Sequence, residues 1–262
     1  MHAETFPADE RFAFGRNWAA YLRGLTPDRI AEARRSLQQF LHVDSLEGKR
    51  FLDAGSGSGL FSLAAASLGA SVHSFDYDID SVRCTAELRR QHASYPWTVE
   101  QGSVLDRAYL ESLGTFDVIY SWGVLHHTGD LAAAMDNVLI PLAKGGTLAI
   151  ALYNDQGWIS RYWLAIKKLY THSPFARPFV IAFHAPYLLG LRWISRRLRA
   201  RKRSDRGMSL YHDMLDWLGG YPFEVSGPDN VIEFYRKRGL SSRGVTTCGR
   251  RHGCNEFVFV KD

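Results

Sequence analysis

Apolar residues recur at Ile30, Ala33, Leu37 and Leu41, the spacing of one helix face, and Thr26-Pro27 ahead of them offers a capping hydroxyl and a first-turn proline. This pattern predicts a helix over residues 27–42. Five strand candidates follow at 50–54, 71–76, 97–101, 116–121 and 147–153, most of them separated by helical patterns such as 60–68. Such alternation predicts a Rossmann-like, doubly wound α/β sheet, mostly parallel. The pattern then changes. Residues 158–206 are apolar and then basic, and helical patterns return at 209–218 and 228–238. "SSRGVTT" and "NEFVFVK" read as two strands joined by a turn containing Gly249 and Gly253.

The expected organisation is a single domain over residues 1–262. It comprises a helical lead (1–45), an α/β core (46–156 and 226–262) and a helical insertion (157–225) placed to cover a substrate. A chain of 262 residues with 46% hydrophobic content can bury one large core. No basic, apolar and small-residue succession marks the first residues for export, and three cysteines are too few for a disulfide framework. A cytoplasmic location is expected. The net charge of +5 is uneven: residues 192–206 hold eight Arg or Lys against one Asp, a local +7, so the rest of the chain is net −2.

Candidate chemistry begins at "FLDAGSGSG", where Asp53 precedes glycines at 55, 57 and 59. A dinucleotide loop spaces its glycines G-x-G-x-x-G and seats a pyrophosphate on the following helix. Here the spacing differs, and the Asp53 carboxylate would repel an anion while suiting a cationic ligand. Asp76, one strand-helix-strand step later in "FDYD", can accept both hydroxyls of a ribose. These features together predict an adenosine cofactor with a cationic tail and argue against an NAD oxidoreductase.

Four stretches in order, "FLDAGSGSG", "FDYD", "FDVIYSWGVLHH" and "LAKGGTLAIALYN", resemble the successive motifs of the class I S-adenosylmethionine-dependent methyltransferases, in particular the small-molecule branch that includes ubiquinone-pathway O-methyltransferases. The resemblance implies an antiparallel last strand and S-adenosyl-L-methionine (SAM) as cofactor. It implies a cofactor site at Asp53, Gly55, Ser56, Gly57, Gly59, Asp76 and Tyr77, with Ser121 at the end of the fourth strand. Where the family often has an acid after the third strand to meet the adenine amine, this chain has "EQGSVLD", so Ser103 or the backbone near Val104 is expected to serve.

Methyl transfer to a hydroxyl needs a positioned acceptor and a base. His126 and His127 follow the fourth strand, at the sheet edge where such folds bind ligands, and neutral imidazole suits the task. His127 aligns with the histidine of the resembling enzymes and is the expected base, with His126 in reserve. Acceptor contacts are expected from Trp18, Tyr153, Ser209, His212, Asp213, Asp216 and Trp217. "CGRRHGC" offers Cys248, His252 and Cys254 but no C-x-x-C pair, so it reads as a turn and no metal is expected.

The expected partner is a small or lipid-linked methyl acceptor. Residues 158–206 are candidates for peripheral contact with the inner membrane face, although 178–194 are too short and too interrupted to span a bilayer. Two alternatives stand beside this reading: an RNA methyltransferase using the basic run at 192–206, and a non-catalytic SAM-binding interaction protein. Against the first, no Asn/Asp-Pro-Pro-aromatic motif and no nucleophilic cysteine after the fourth strand is present, so nucleic acid is not the expected partner.

Overall fold

The computed structural model describes Gly15, Trp18, Leu22 and residues 24–198, 210–249 and 253–262; the side chains of 191–198, 210–213 and 216 fall outside this description. Helix α1 (Pro27–Leu41) starts where Thr26 accepts the amide of Arg29 and stops where His42 turns left-handed at φ 55°. Then β1 (Arg50–Ala54), α2 (Leu60–Ser67), β2 (Ser71–Asp76), α3 (Ile79–Gln91), β3 (Trp97–Gln101), α4 (Arg107–Ser112) and β4 (Phe116–Trp122) alternate. The helices α3 and α4 are capped by the carboxylates of Asp78 and Asp106. A one-turn 3-10 helix at Leu125–His127, α5 (Leu131–Asn137) and the long strand β5 (Leu142–Tyr153) complete the parallel part.

Three helices follow, α6 (Trp158–His172), α7 (Arg177–Leu198) and α8 (Leu210–Gly219), before α9 (Pro228–Arg236) and the hairpin β6 (Leu240–Thr246) and β7 (Cys254–Lys261). Among the described residues the sheet has seven strands in the order β3-β2-β1-β4-β5-β7-β6. All pairs through β4–β5 are parallel, while β7 lies antiparallel between β5 and β6.

The sheet carries a hydrophobic core on each face. Successive residues alternate between the faces: Leu52, Ile119 and Leu148 pack in one core with Tyr235 and Phe259, whereas Phe51, Val118 and Ala149 pack in the other with Leu37 and Leu63. A third core, built on Trp163, Val180, Leu188, Met214 and Trp217, joins α6, α7 and α8 over the end of β5.

The largest departure from the sequence reading is the start of β5, five residues earlier than expected. Pairing with β4 extends back across Gly145-Gly146 through a bulge in which Phe116 faces Leu142 and Val118 faces Thr147. Among the described residues no helix is long and apolar enough to cross a membrane.

Tyr235 is fully buried against Phe259, and its hydroxyl has no hydrogen-bond partner among the described residues. A buried hydroxyl left unpaired costs more than its absence, so Tyr235→Phe should stabilise the fold by about 1 kcal/mol. Urea unfolding measures it as a higher midpoint at unchanged slope.

Candidate active site

The loop after β1 is shaped by what it must touch. Gly55 has φ 91°, and a Cβ there would lie 2.4 Å from a methyl of Val124, in the turn after β4. Because β1 and β4 are adjacent and parallel, the loop of one and the turn of the other leave the sheet side by side, and only glycine lets them meet. The amides of Gly55 and Ser56 both donate to the carbonyl of Phe75, tying the loop to β2 as well. Ser56 adds a hydroxyl contact of 3.0 Å to Thr85, on α3.

Asp53 and Asp76 flank this loop. Asp76 accepts the amide of Gly57 on Oδ2 and that of Asp78 on Oδ1, each at 2.9 Å, so it organises the loop with both oxygens. Asp53 is 2% exposed and accepts the hydroxyl of Ser62 at 2.5 Å. Behind it runs a relay unsignalled in the sequence: the Trp97 indole donates to Ser74 at 2.7 Å, and Ser74 and Ser62 are joined at 2.7 Å. Burial lifts the Asp53 carboxyl to about 7, against the pull of Ser62 and with a further push from Asp76. Burial likewise lifts Asp76 to about 6, opposed by the amides of Gly57 and Asp78.

Other residues expected around the cofactor are placed differently. Tyr77 is 42% exposed at the end of β2, with its carbonyl accepting from Gln101. The side chain of Val104 is buried in the core, and its carbonyl takes the amide of Asn137. The hydroxyl of Ser103 accepts from the amide of Leu105 and so closes its own turn. Ser121 is fully buried and donates to the carbonyl of Ala54 at 2.8 Å, locking β4 to the last residue of β1. It positions the loop from behind. Trp18, expected with the acceptor, lies instead against the glycine loop: a Cβ on Gly57 would be 3.2 Å from its indole nitrogen.

On the other side of the turn, His127 sets its Nδ1 2.6 Å from the carbonyl of Pro222. A carbonyl can only accept, so Nδ1 carries the proton and the lone pair is on Nε2. Burial and the positive charge of Lys167 push His127 down to about 3, against the pull of the Pro222 carbonyl, so the ring is neutral. His126 lies beside it, its ring centroid 4.5 Å from that of His127 and 4.0 Å from that of Tyr153. It is fully buried, its Nδ1 accepts the amide of Tyr153 at 3.3 Å, and burial holds it well below the ordinary histidine value. Its place in the framework removes it from the role of reserve base.

Tyr153 and Trp217 do come together, their rings 5.5 Å apart, with Phe223 at 5.1 Å from Tyr153 and His127 at 5.5 Å. They help line a small cavity with Asn154, Gln156 and Ser160. Ser209 lies outside the described residues, as do the side chains of His212, Asp213 and Asp216, whose helix is described. Lys167 escaped the sequence reading. It is fully buried, donates to the carbonyl of Trp217, and holds its ammonium 4.5 Å from the Trp217 ring and 4.8 Å from that of Phe223. The signal was present: Trp163, Lys167 and Tyr170 share one helix face, and that face is the buried one. Among the described residues no cluster of His, Cys, Asp or Glu is arranged to hold a metal ion, and His252 of the "CGRRHGC" turn lies outside them.

A glycine loop joined to an acid at the end of β2, a histidine turn packed on that loop and an antiparallel β7 in an otherwise parallel interior define the methyltransferase class of doubly wound folds. The chain belongs to the methyltransferase-domain family, whose model matches residues 25–184. Over 110 residues it is 36% identical to a ubiquinone biosynthesis O-methyltransferase of Xanthomonas campestris pv. campestris (strain B100), a match covering 42% of this chain and 45% of that protein. The chain spans about half the length of the curated relatives it matches.

Its fold is similar to that of magnesium protoporphyrin IX methyltransferase from Synechocystis PCC 6803, solved with bound SAH. The TM-score is 0.54 at 15% identity, over 88% of this chain and 83% of that one. PKMT2 from Rickettsia typhi, in complex with AdoHcy, aligns at TM-score 0.58 and 13% identity over 98% of this chain and 55% of its own.

The raised Asp53 has a consequence for stability. Between the ordinary value of 3.8 and about 7 the folded protein retains a proton that the unfolded chain has released, so this group's contribution falls as pH rises through that window. Asp53→Asn, which still accepts from Ser62, should therefore gain on the parent as pH is raised across the window, and the gap should level off above it. Paired urea titrations at several pH values read the gap directly.

Proposed function

We propose that this chain transfers a methyl group from SAM to a hydroxyl of a small or lipid-linked acceptor, in the cytoplasm or at the cytoplasmic face of its membrane. The observation that carries the reading is the contact of Gly55 with Val124, which sets a cation-favouring loop directly against the turn that carries His127. Family membership and the name of the Xanthomonas relative support the class of reaction and of acceptor.

The residues present suit SAM. Two carboxylates lifted by burial favour a ligand that brings positive charge, and Asp76 stands at the end of β2, where a ribose would meet an acid. Gly55 and Gly59 let Val124 and Thr85 pack onto the loop backbone, and Trp18 lies over Gly57. When bound, SAM supplies an activated methyl on a sulfonium that becomes a neutral thioether on transfer.

The acceptor would lie beside His127, next to the aromatic cluster of Tyr153, Trp217 and Phe223 that packs against it, with α6, α7 and α8 excluding water. His127 takes the acceptor's hydrogen bond on Nε2, because its Nδ1 proton is committed to Pro222. The hydroxyl proton passes to His127 as the methyl leaves. The site thereby gains one positive charge on imidazole while losing one on sulfur. That balance eases protonation of a ring which, beside Lys167, resists it in the free protein.

His127→Ala should lower turnover by about a hundredfold or more while leaving SAM affinity within about twofold, as expected of a base that does not touch the cofactor. Release of demethylated cofactor from a panel of phenols and catechols measures the first, and calorimetry the second. Unchanged turnover would remove His127 from the chemistry, and absence of SAM binding by the parent would refute the whole reading.

SAM affinity should also rise as pH is raised from about 5 to 8, because a cationic ligand prefers Asp53 and Asp76 ionised. Binding should release protons. Calorimetry in buffers of different ionisation enthalpy detects that release.

A further inference from the structure

We propose that the outer face of α7 docks on an anionic lipid surface through a ladder of aromatic rings, an interaction that goes beyond the methyl-transfer reading and does not depend on it. Phe175, Phe179 and Phe183 are 89%, 76% and 77% exposed, and Tyr187 is 47% exposed. They recur every four residues along one flank of the helix and its approach, so neighbouring rings lie one turn apart. The adjoining flank holds Val180, His184 and Leu188, all buried against the third core. The remaining exposed positions from 174 to 187 are Pro174, Arg177, Pro178, Ala182 and Pro186. Scattered exposed apolar residues are ordinary, but a contiguous face of rings and prolines interrupted by a single charge marks an interaction surface.

Charge selects the occupant. From residue 156 to residue 204 the chain has no Asp or Glu, and it has eleven Lys or Arg. Seven of these follow the ladder, from Arg192 onward, and Arg161 and Lys168 are exposed on the neighbouring α6, beside the exposed Trp158 and Tyr162. A second copy of this chain would bring two strongly positive surfaces together, whereas an anionic headgroup layer neutralises them. A single-stranded nucleic acid is best held by cations interleaved with stacking rings. Along this sequence most of the cations follow the apolar stretch instead of alternating with it. Rings seated at headgroup level with Lys and Arg around them are what an interfacial helix presents to a charged bilayer.

The test is co-sedimentation of the whole chain with vesicles of phosphatidylcholine alone and of phosphatidylcholine mixed with phosphatidylglycerol, at low and high salt. Binding is expected to the mixed vesicles only, and it should weaken as salt is added. Phe179→Ser/Phe183→Ser should lower the partition coefficient at least about tenfold. Both rings face solvent, so the doubly substituted protein should keep its thermal transition, which separates lost docking from lost folding. No binding to mixed vesicles at low salt, or equal binding by parent and variant, overturns the proposal. So does a ring-dependent dimer or oligonucleotide complex in place of vesicle binding. Because no turnover is read, failure here leaves the methyl-transfer reading intact, and failure of methyl transfer leaves this one intact.

Discussion

The arrangement of this protein hangs on one close approach, between the first residue of the glycine loop and Val124. Adjacent parallel strands in a doubly wound sheet send their chains out at the same edge, where both loops compete for the same space. Here the conflict is settled by removing a side chain at Gly55, and Ser121 ties the two strand ends together from beneath. The fixed separation of loop and turn then fixes the separation of Asp53 from His127, which come from strands far apart in sequence. A methyl transfer between two bound molecules tolerates little slack in that separation.

The two sides of this contact carry opposite electrostatic character. On the loop side, burial makes two carboxylates reluctant to ionise. On the turn side, burial and Lys167 make His127 reluctant to protonate. Each side is thereby set to respond to the charge that a cationic cofactor and a departing proton would bring. The aromatic rings around Lys167 hold its ammonium in place without an acid of their own.

The sheet was legible because short strand-like segments alternate with helical patterns, and β1, β2 and β3 match the expected segments residue for residue. The start of β5 was hidden because a glycine pair in a bulge has the same composition as one in a turn. The glycine loop and Asp76 could be read since their chemistry is local. The fates of Ser103, Val104 and Ser121 could not be, since a hydroxyl or a carbonyl near a ligand and one that closes a turn look alike until their partners are known. Trp18 shows the same limit at longer range: nothing in its neighbours says which loop it covers. Lys167 is a different case, because its apolar helix face announced burial but not the rings it would meet.

The relay from Trp97 to Asp53 takes its direction from the carboxylate. While Asp53 is ionised it can only accept, so Ser62 donates to it, Ser74 donates to Ser62, and the Trp97 indole donates to Ser74, every proton pointing toward the buried charge. Protonation of Asp53 lifts that constraint. The carboxyl can then donate to Ser62 and Ser62 to Ser74, which accepts the indole on its other lone pair. The hydroxyl line thereby couples the charge of Asp53 to a tryptophan on strand β3, whose surroundings change with each proton gained or lost at the carboxyl.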